Sequence, residues 1–437
     1  MDSFDIASAV ARLYDADPGR EWARMDRHRT EFAVTLRVLR EFLPRPPASV
    51  LDCGGGPGRY AIELAQQGYA VTLFDLAIGN LALARQRAAE ANAELARYEQ
   101  GTATDLTRFP AGSFDAVLLM GPLYHLLEEC ERRQALAGAY RVLAPGGVLF
   151  AAFITRYAAH RDCAARYPAQ LLAEQPIYDR ILADGCLPPP ADGRVSFVAY
   201  FAHPTEAAPL CWQAGFEVAA VLGVEGVASA AEEELNKLDG PAWDAWVDVN
   251  RQIAADPCIH GGAEHLLAVA VKPRWRPALA ALARRLDAAG VHYKIVGGAS
   301  LALHGLPLAV RDVDIETDAP GAYRFQQLFP TRVVEPVALR CGDAYRSHLG
   351  HFDFDGIPVE VMGGLERREG EAWLPTWATT ETIVKLEDVP VRVSWLEEET
   401  LACVRRGRLE RAAFCLPRCD HDRLMALLRR GIKTQGV

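Results

Sequence analysis

The chain has 437 residues, half of them hydrophobic, with 47 basic and 57 acidic side chains and a formal charge of −10. At roughly 100–200 residues per domain this length calls for two or three cores. No run approaches the ~20 apolar residues of a spanning helix, which excludes an integral membrane protein of that kind. MDSFDIASAV has no basic segment ahead of an apolar one, so no secretory leader is expected.

The charge is unevenly spread. Up to Lys272 there are 24 basic and 35 acidic residues, a net of −11, and from Pro273 onward 23 and 22, a net of +1. The acidity therefore argues against a polyanionic partner for the first part only. Ten cysteines without a CxxC pair read as free thiols of a cytoplasmic protein. Cys415, Cys419 and His421, with Cys403, form the one grouping that suggests a zinc alternative, at a spacing unlike familiar fingers.

The first ~45 residues read as helical. Glu31 to Phe42 carries an apolar stripe, and Pro44, Pro46 and Pro47 stop it. From Ser49 short apolar runs alternate with helical stretches. SVLDCG is followed by RYAIELAQQG, AVTLFD, a long alanine-rich helix from Ile78 to Ala96, FDAVLLMG (114–121), a helix ending in RVLAPGG, and GVLFAAFI (147–154). Strands alternating with helices imply a parallel sheet covered on both faces. Residues 155–210, with YPAQ, LPPP and an Asp-Gly turn, read as an insertion over that sheet. FEVAAVLGV (216–224) and HLLAVAV (265–271) supply the last strands, and KPRWRP (272–277) reads as a linker. The expected domains are thus 1–272 and 273–437.

VLDCGGGPGRYAIELA (50–65) is a strand, a glycine-rich turn and a helix start. Glycine serves where a backbone turns tightly against a ligand, and helix amides then face the crevice at the strand ends. Gly54, Gly56 and Ala61 satisfy a dinucleotide template. Asp52 followed by Gly54, Gly56 and Gly58 satisfies another. With Asp75, GTATDL (101–106), FDAVLLMG and RVLAPGG in order, residues 30–272 resemble the class I S-adenosylmethionine-dependent methyltransferases.

That resemblance implies a Rossmann-like seven-stranded sheet ending in a reversed hairpin, with a helical lid. It implies cofactor contacts at Asp52, Gly54, Gly56 and Gly58, at Asp75 for the ribose hydroxyls, at Thr102, Ala103 and Asp105 for adenine, and at Met120. The family's acid is absent at Thr102, with Asp105 as its expected substitute. In GPLYHL (121–126) Tyr124 and His125 are placed to orient or deprotonate a small-molecule acceptor, His125 being the better base. Tyr14, Trp22 and Phe32 belong to the expected lid. Tyr157, Tyr167, Tyr178 and Tyr200 suit an aromatic pocket or a plain core.

KIVGGASLALHG (294–305) repeats the strand, glycine turn and helix start, and RDVDIETD (311–318) follows. Side chains two apart on a strand share a face, so Asp312 and Asp314 point together while Val313 and Ile315 face inward. HFDFDGIPVEVMGG adds a hairpin at Asp355-Gly356 and places Glu360 on the returning strand. Paired carboxylates with a third acid suit divalent cations and a triphosphate.

Residues 278–432 thereby resemble the polymerase-beta type of nucleotidyltransferase, a smaller α+β domain. The resemblance implies Gly297, Gly298 and Ser300 on the phosphates, Asp312, Asp314 and Glu360 on Mg2+, and Glu360 as base toward an acceptor hydroxyl. Glutamate there departs from the family's usual aspartate. The tail 405–433 holds nine basic and three acidic residues, with Arg405 and Arg408 as phosphate or RNA contacts.

The expectation is methyl transfer to a small acceptor joined to nucleoside monophosphate transfer from a nucleoside triphosphate. The alternatives are an inactive nucleotide- or partner-binding second module, or an RNA-directed modifying or toxin-type enzyme. The acceptors and the oligomeric state stay open.

Overall fold

A computed structural model describes residues 6–190, 196–376 and 380–433. The chain divides into two compact units, Met1–Pro273 and Arg274–Val437. The Asp-Gly turn of the expected insertion lies outside the described residues.

The first unit opens with α1 (Ile6–Ala16), α2 (Pro18–Arg27) and α3 (Arg29–Phe42). The Asp17 side chain accepts from the Arg20 backbone amide to cap α2, and Pro18 sits at its first position, where no amide is needed. The sheet then builds from β1 (Ser49–Cys53), β2 (Ala70–Asp75), β3 (Arg97–Gln100), β4 (Phe114–Leu119) and β5 (Leu143–Thr155) in the order 3-2-1-4-5, all parallel. Helices α4 (Arg59–Gln66), α5 (Ile78–Glu90) and α6 (Glu129–Val142) connect them.

Both faces are covered, so β1 and β4 are largely apolar: Val50, Leu51, Val117 and Leu118 have no exposed surface. Each such side chain contributes about 1.5–3 kcal/mol. Beyond β5 the sheet turns antiparallel, with β9 (His265–Val271) paired to β5 and to β8 (Glu217–Gly223). This is the reversed hairpin.

Two local readings change. The alanine-rich helix stops at Glu90 rather than Ala96, because Asn92 adopts a left-handed φ of 50° and releases the chain into β3, an edge strand too polar to show in the sequence. The segment 155–210 does more than cover the sheet. Its β7 (Ala199–Ala202) pairs in parallel with the end of β5, and β6 (Cys186–Leu187) pairs with β7. Further helices at 158–166 and 175–184 fill the rest.

The second unit starts with the helix Trp275–Ala288, packed by Trp275, Leu279, Leu282 and Leu286. Its sheet contains β10 (Tyr293–Val296), β11 (Val313–Thr317), β12 (Val333–Cys341), β13 (Tyr345–Asp353), β14 (Pro358–Glu369), β15 (Ala372–Pro375), β16 (Glu381–Leu386) and β17 (Val389–Ser394). The order is 12-13-14-11-10-17-16, with β15 on β14. Asp355 and Gly356, at φ 58° and 86°, make the expected two-residue hairpin, closed by reciprocal Phe354–Ile357 backbone bonds of 2.9 and 3.2 Å. No helix among the described residues is long and apolar enough to cross a membrane.

Candidate functional sites

In the first unit a cavity of about 1240 Å3, counted out to its mouth, opens at the carboxyl ends of β1 to β4. Its floor is the glycine turn. Gly54 is obligatory there, since φ is 71° and a Cβ would lie 2.4 Å from the Pro122 ring. A Cβ on Gly56 would meet nothing nearer than 3.7 Å, so this glycine borders open space. Gly58 is different. It does not line the cavity, and its missing side chain makes room for Ala84 and Leu73, each 3.3 Å away, which corrects the expected cofactor contact to a packing role.

Asp52 and Asp75 form the polar wall. The Asp75 carboxylate accepts from the amides of Gly56 (2.8 Å) and Ala77 (2.9 Å) and from Asn80 Nδ2 (3.1 Å). Burial raises its pKa against these bonds. Asp52 is 2% exposed, and its Oδ2 is buried without a partner. Burial, with Asp75 nearby, pushes it up to about 7. An orphaned acceptor on a cavity wall is an energetic liability unless a ligand donates to it. Thr102, Ala103 and Met120 line the cavity as expected. Asp105 does not; it is exposed and turned to the Thr107 amide (3.0 Å) and hydroxyl (2.5 Å), so it does not replace the missing acid.

At the far wall His125 is held from both sides. Its Nδ1 donates to the Val198 carbonyl (2.8 Å), which leaves Nε2 to accept from the Tyr14 hydroxyl, also at 2.8 Å. Burial pushes its pKa down to about 4. The lone pair expected to act as base is therefore already used, by a residue of α1. Tyr124 lies edge-on to the same ring at 4.9 Å, and its hydroxyl donates to the Met120 carbonyl at 3.4 Å. Sequence reading placed Tyr14 in a lid but not on His125, 111 residues away.

Behind α2 lies an ion network with no sequence signal. Arg24, on the cavity wall, binds Glu31 through 2.7 and 3.1 Å bonds and Glu21 at 2.8 Å. His265 on β9 binds Glu225 at 2.6 Å, with Glu31 at 3.8 Å. Burial opposes the charge on Glu31, but Arg24 and His265 outweigh it and hold the group down to about 2. Burial likewise opposes the charge on His265, and its two carboxylates overcome it, holding the imidazolium up to about 9.

In the second unit Asp312 lies just before β11 and is exposed, while Asp314 and Glu360 are in-register neighbours on β11 and β14. Asp314 Oδ2 occupies the place of a Gly297 side chain, 2.3 Å from the ideal Cβ, and Gly297 has a φ of 67°. Burial, then Asp312 and Glu360, push Asp314 up to about 7, with Arg406 and Arg408 opposing. Arg408, named from sequence, thus faces the acids, whereas Arg405 is felt by Arg367, Tyr345 and Glu398 instead. Gly298 borders open space. Ser300 has no exposed surface, so its expected phosphate contact is not available in this arrangement.

Three further acids are close by. The Glu399 carboxylate accepts from the Gly297 amide at 3.1 Å, and burial pushes it up to about 8. Glu316 and Glu398 share the buried Lys294 at 3.5 and 3.4 Å. Glu316 extends the Asp-x-Asp alternation and was legible; Glu399, about a hundred residues on, was not.

His351 faces Glu360 from β13 at 3.2 Å and Glu335 from its other nitrogen at 3.2 Å. Among the described residues the ligand atoms of Asp312, Asp314 and Glu360 do not converge within 4.8 Å, and neither do those of the C-terminal cysteines and His421. The converging group is Glu31, Glu225 and His265, where Arg24 and the imidazolium already balance the charge. Glu360 turns to His351, and Asp314 lies against Gly297. The Cys419 thiol lies 3.2 Å from the Thr400 hydroxyl, and Cys403 and Cys415 are buried in an apolar cluster.

These arrangements are a nucleoside crevice on a methyltransferase-type sheet and a carboxylate face on a nucleotidyltransferase-type sheet. Residues 50–147 match a methyltransferase domain model, and residues 278–404 match the aminoglycoside-2''-adenylyltransferase model. Ubiquinone biosynthesis O-methyltransferase of Xanthomonas campestris pv. campestris is 32% identical over 39% of this chain and 69% of its own length. Glycine/sarcosine N-methyltransferase of Parasynechococcus marenigrum is 37% identical over 26% and 39%. A solved Thermotoga maritima structure described as a candidate nucleotidyltransferase is 31% identical over 32% of this chain and 90% of that one, with a TM-score of 0.31.

Through its first unit the chain belongs to the S-adenosylmethionine-dependent methyltransferases, and its second unit is a nucleotidyltransferase-type domain. The chain spans 39% to 45% of the length of the curated relatives it matches first.

Proposed function

We propose that the first unit transfers a methyl group from S-adenosylmethionine to a small molecule. The observation that carries this is the buried, unpartnered Oδ2 of Asp52 beside Asp75 on the cavity wall, an acceptor pair suited to the donors of an aminoacyl nucleoside. When bound, the cofactor supplies a methyl group on a positive sulfonium. Asp75 would take the ribose hydroxyls on its remaining lone pairs, and Thr102 and Ala103 would border the adenine. Arg59, at the start of α4 and on the cavity wall, would meet the cofactor's carboxylate.

Methyl transfer from a sulfonium releases a neutral leaving group, so alignment is the main demand. Tyr14 and His125 serve it as positioning residues, joining α1 to the loop before β7. The Tyr14 pKa stays well above 10, chiefly from burial, so its hydroxyl orients rather than ionises. Calorimetry with S-adenosylhomocysteine tests the reading: one saturable site is expected, and absence of heat at millimolar ligand would sink it.

We further propose that the second unit moves a nucleoside monophosphate from a nucleoside triphosphate to a hydroxyl. The oxygen-only donor set of Asp312, Asp314 and Glu360 suits Mg2+, a hard cation that would neutralise phosphate charge. The adenylyltransferase family matched at 278–404 supports this reaction type. One observation favours a second reading, an inactive nucleotide-binding module: Glu360 is engaged by His351, and the three carboxylates stand apart. Pyrophosphate release with magnesium and ATP, GTP, CTP or UTP across hydroxyl-bearing acceptors separates the two. Release supports transfer; nucleotide binding without release supports the module.

A further inference from the structure

The polar side chains lining the acceptor end of the first cavity have spent their donors internally. Tyr14 donates to His125, His125 to the Val198 carbonyl, and Tyr124 to the Met120 carbonyl. The cations are also committed. Arg24 is bound by Glu21 and Glu31. Arg59 is bound by Asp26 at 2.9 Å and stacks over Trp22, and its remaining donors belong to the cofactor's carboxylate in the methyl-transfer reading. Hydrogen-bond acceptors and negative charge remain: the phenol oxygens of Tyr14 and Tyr124, and Glu131, which lines the cavity with no ion pair among the described residues. Part of the wall is aromatic: Tyr14 and Tyr124 line the cavity and contact His125 edge-on, with centroids 5.5 and 4.9 Å away. The apolar side of α1, with Ile6, Val10 and Ala11, completes the enclosure.

An anionic acceptor has no uncommitted cation to meet here, and its desolvation would go uncompensated. A positively charged or N–H-rich acceptor meets phenol oxygens, carboxylate and aromatic faces, the surroundings that recognise ammonium groups. We infer that the methyl acceptor of the first unit is an amine, held among Tyr14, Tyr124 and Glu131, and that carboxylate, phosphate and phenolate acceptors are rejected. This rests on the methyl-transfer reading. In the step, the lone pair of the neutral amine forms the new N–C bond as the C–S bond breaks. Sulfur keeps the bonding pair, and the ammonium product gives its proton to water.

The test uses the full chain saturated with S-adenosylhomocysteine, and as probes choline, its neutral carbon isostere 3,3-dimethylbutanol and the anion 3,3-dimethylbutyrate. Choline should bind at least tenfold more tightly than the other two, and Tyr14→Leu and Glu131→Gln should each reduce its affinity about fivefold. Tyr14→Phe, which keeps the ring, should retain most choline binding and so separates loss of the cage from loss of fold. Equal binding of cation and isostere, tighter binding of the anion, or no probe binding while S-adenosylhomocysteine still binds would each overturn the inference and leave the methyltransferase reading intact. Failure of S-adenosylhomocysteine itself to bind would overturn both. In turnover, S-adenosylhomocysteine should form with primary or secondary amines and not with matched carboxylates or phenols.

Discussion

The two units are written in the same local grammar and finish with opposite electrostatics. Each has a strand, a glycine turn, a helix start and acids on neighbouring strands. In the first, the acid on β2 is directed at backbone amides, and the acid on β1 is left with an orphaned oxygen inside a cavity. In the second, Asp314 and Glu360 are in-register neighbours with Asp312 nearby, and burial, then Asp312 and Glu360, raise the proton affinity of Asp314. A carboxylate facing amides is prepared for the donors of a neutral sugar. Carboxylates on neighbouring strands gather negative charge that a cation would neutralise. The class of ligand follows from what the acid faces rather than from the motif that precedes it.

Four experiments press on that contrast, in descending order of expected effect. If the acids of the second unit serve a metal, Asp314→Asn should lower pyrophosphate release by about a hundredfold or more. A mild loss would instead place Asp314 in the packing of Gly297. The glycine turns should respond unequally to a side chain. Gly54→Ala forces a Cβ to 2.4 Å from the Pro122 ring at a left-handed φ, so the melting transition of the first unit should lose about 2 kcal/mol. Gly298→Ala meets nothing within 4 Å inside a helix and should gain about 0.5 kcal/mol.

Next, Asp75→Ala should weaken S-adenosylmethionine binding at least tenfold by calorimetry, about 1.4 kcal/mol; unchanged affinity would remove the nucleoside crevice. The last test concerns pH. The folded pKa of His265, about 9, lies above its ordinary 6.5. Its contribution is therefore complete below pH 6.5 and fades as pH rises through 9. His265→Gln should flatten that slope in melts between pH 6.5 and 9.5, and an unchanged slope would assign the effect elsewhere.

Much of this could be read in advance, and the reason is locality. A strand, a turn and a hairpin are set within a few residues by φ preference and side-chain period. Hence Gly54, Asp75, the Asp355-Gly356 hairpin and the Asp312/Asp314 face were all legible. The pairing of His351 with Glu360 across that hairpin was not read from the sequence and emerged only in the sheet register. Misreadings fell where a side chain's partner is distant. His125 looked like a free base because Tyr14 and Val198 are 111 and 73 residues away. Ser300 looked like a phosphate ligand because burial of the helix start is decided by the sheet beneath it. Asp105 is the exception: its partner Thr107 is only two residues on, a local Asx-type contact that takes the carboxylate away from the cavity.

By itself, then, the amino-acid order determined the two sheet types, the positions of both glycine turns and the identity of the acids. It also confined the acidic excess to the first 272 residues. Tertiary structure alone decided which donors are spent and which acceptors are left over. It brought Tyr14 onto His125, tied Arg24 through Glu31 to His265, and set Glu399 on the Gly297 amide. Hydrogen-bond capacity is a property of the assembled neighbourhood, because each donor is counted once and its partner is chosen in space.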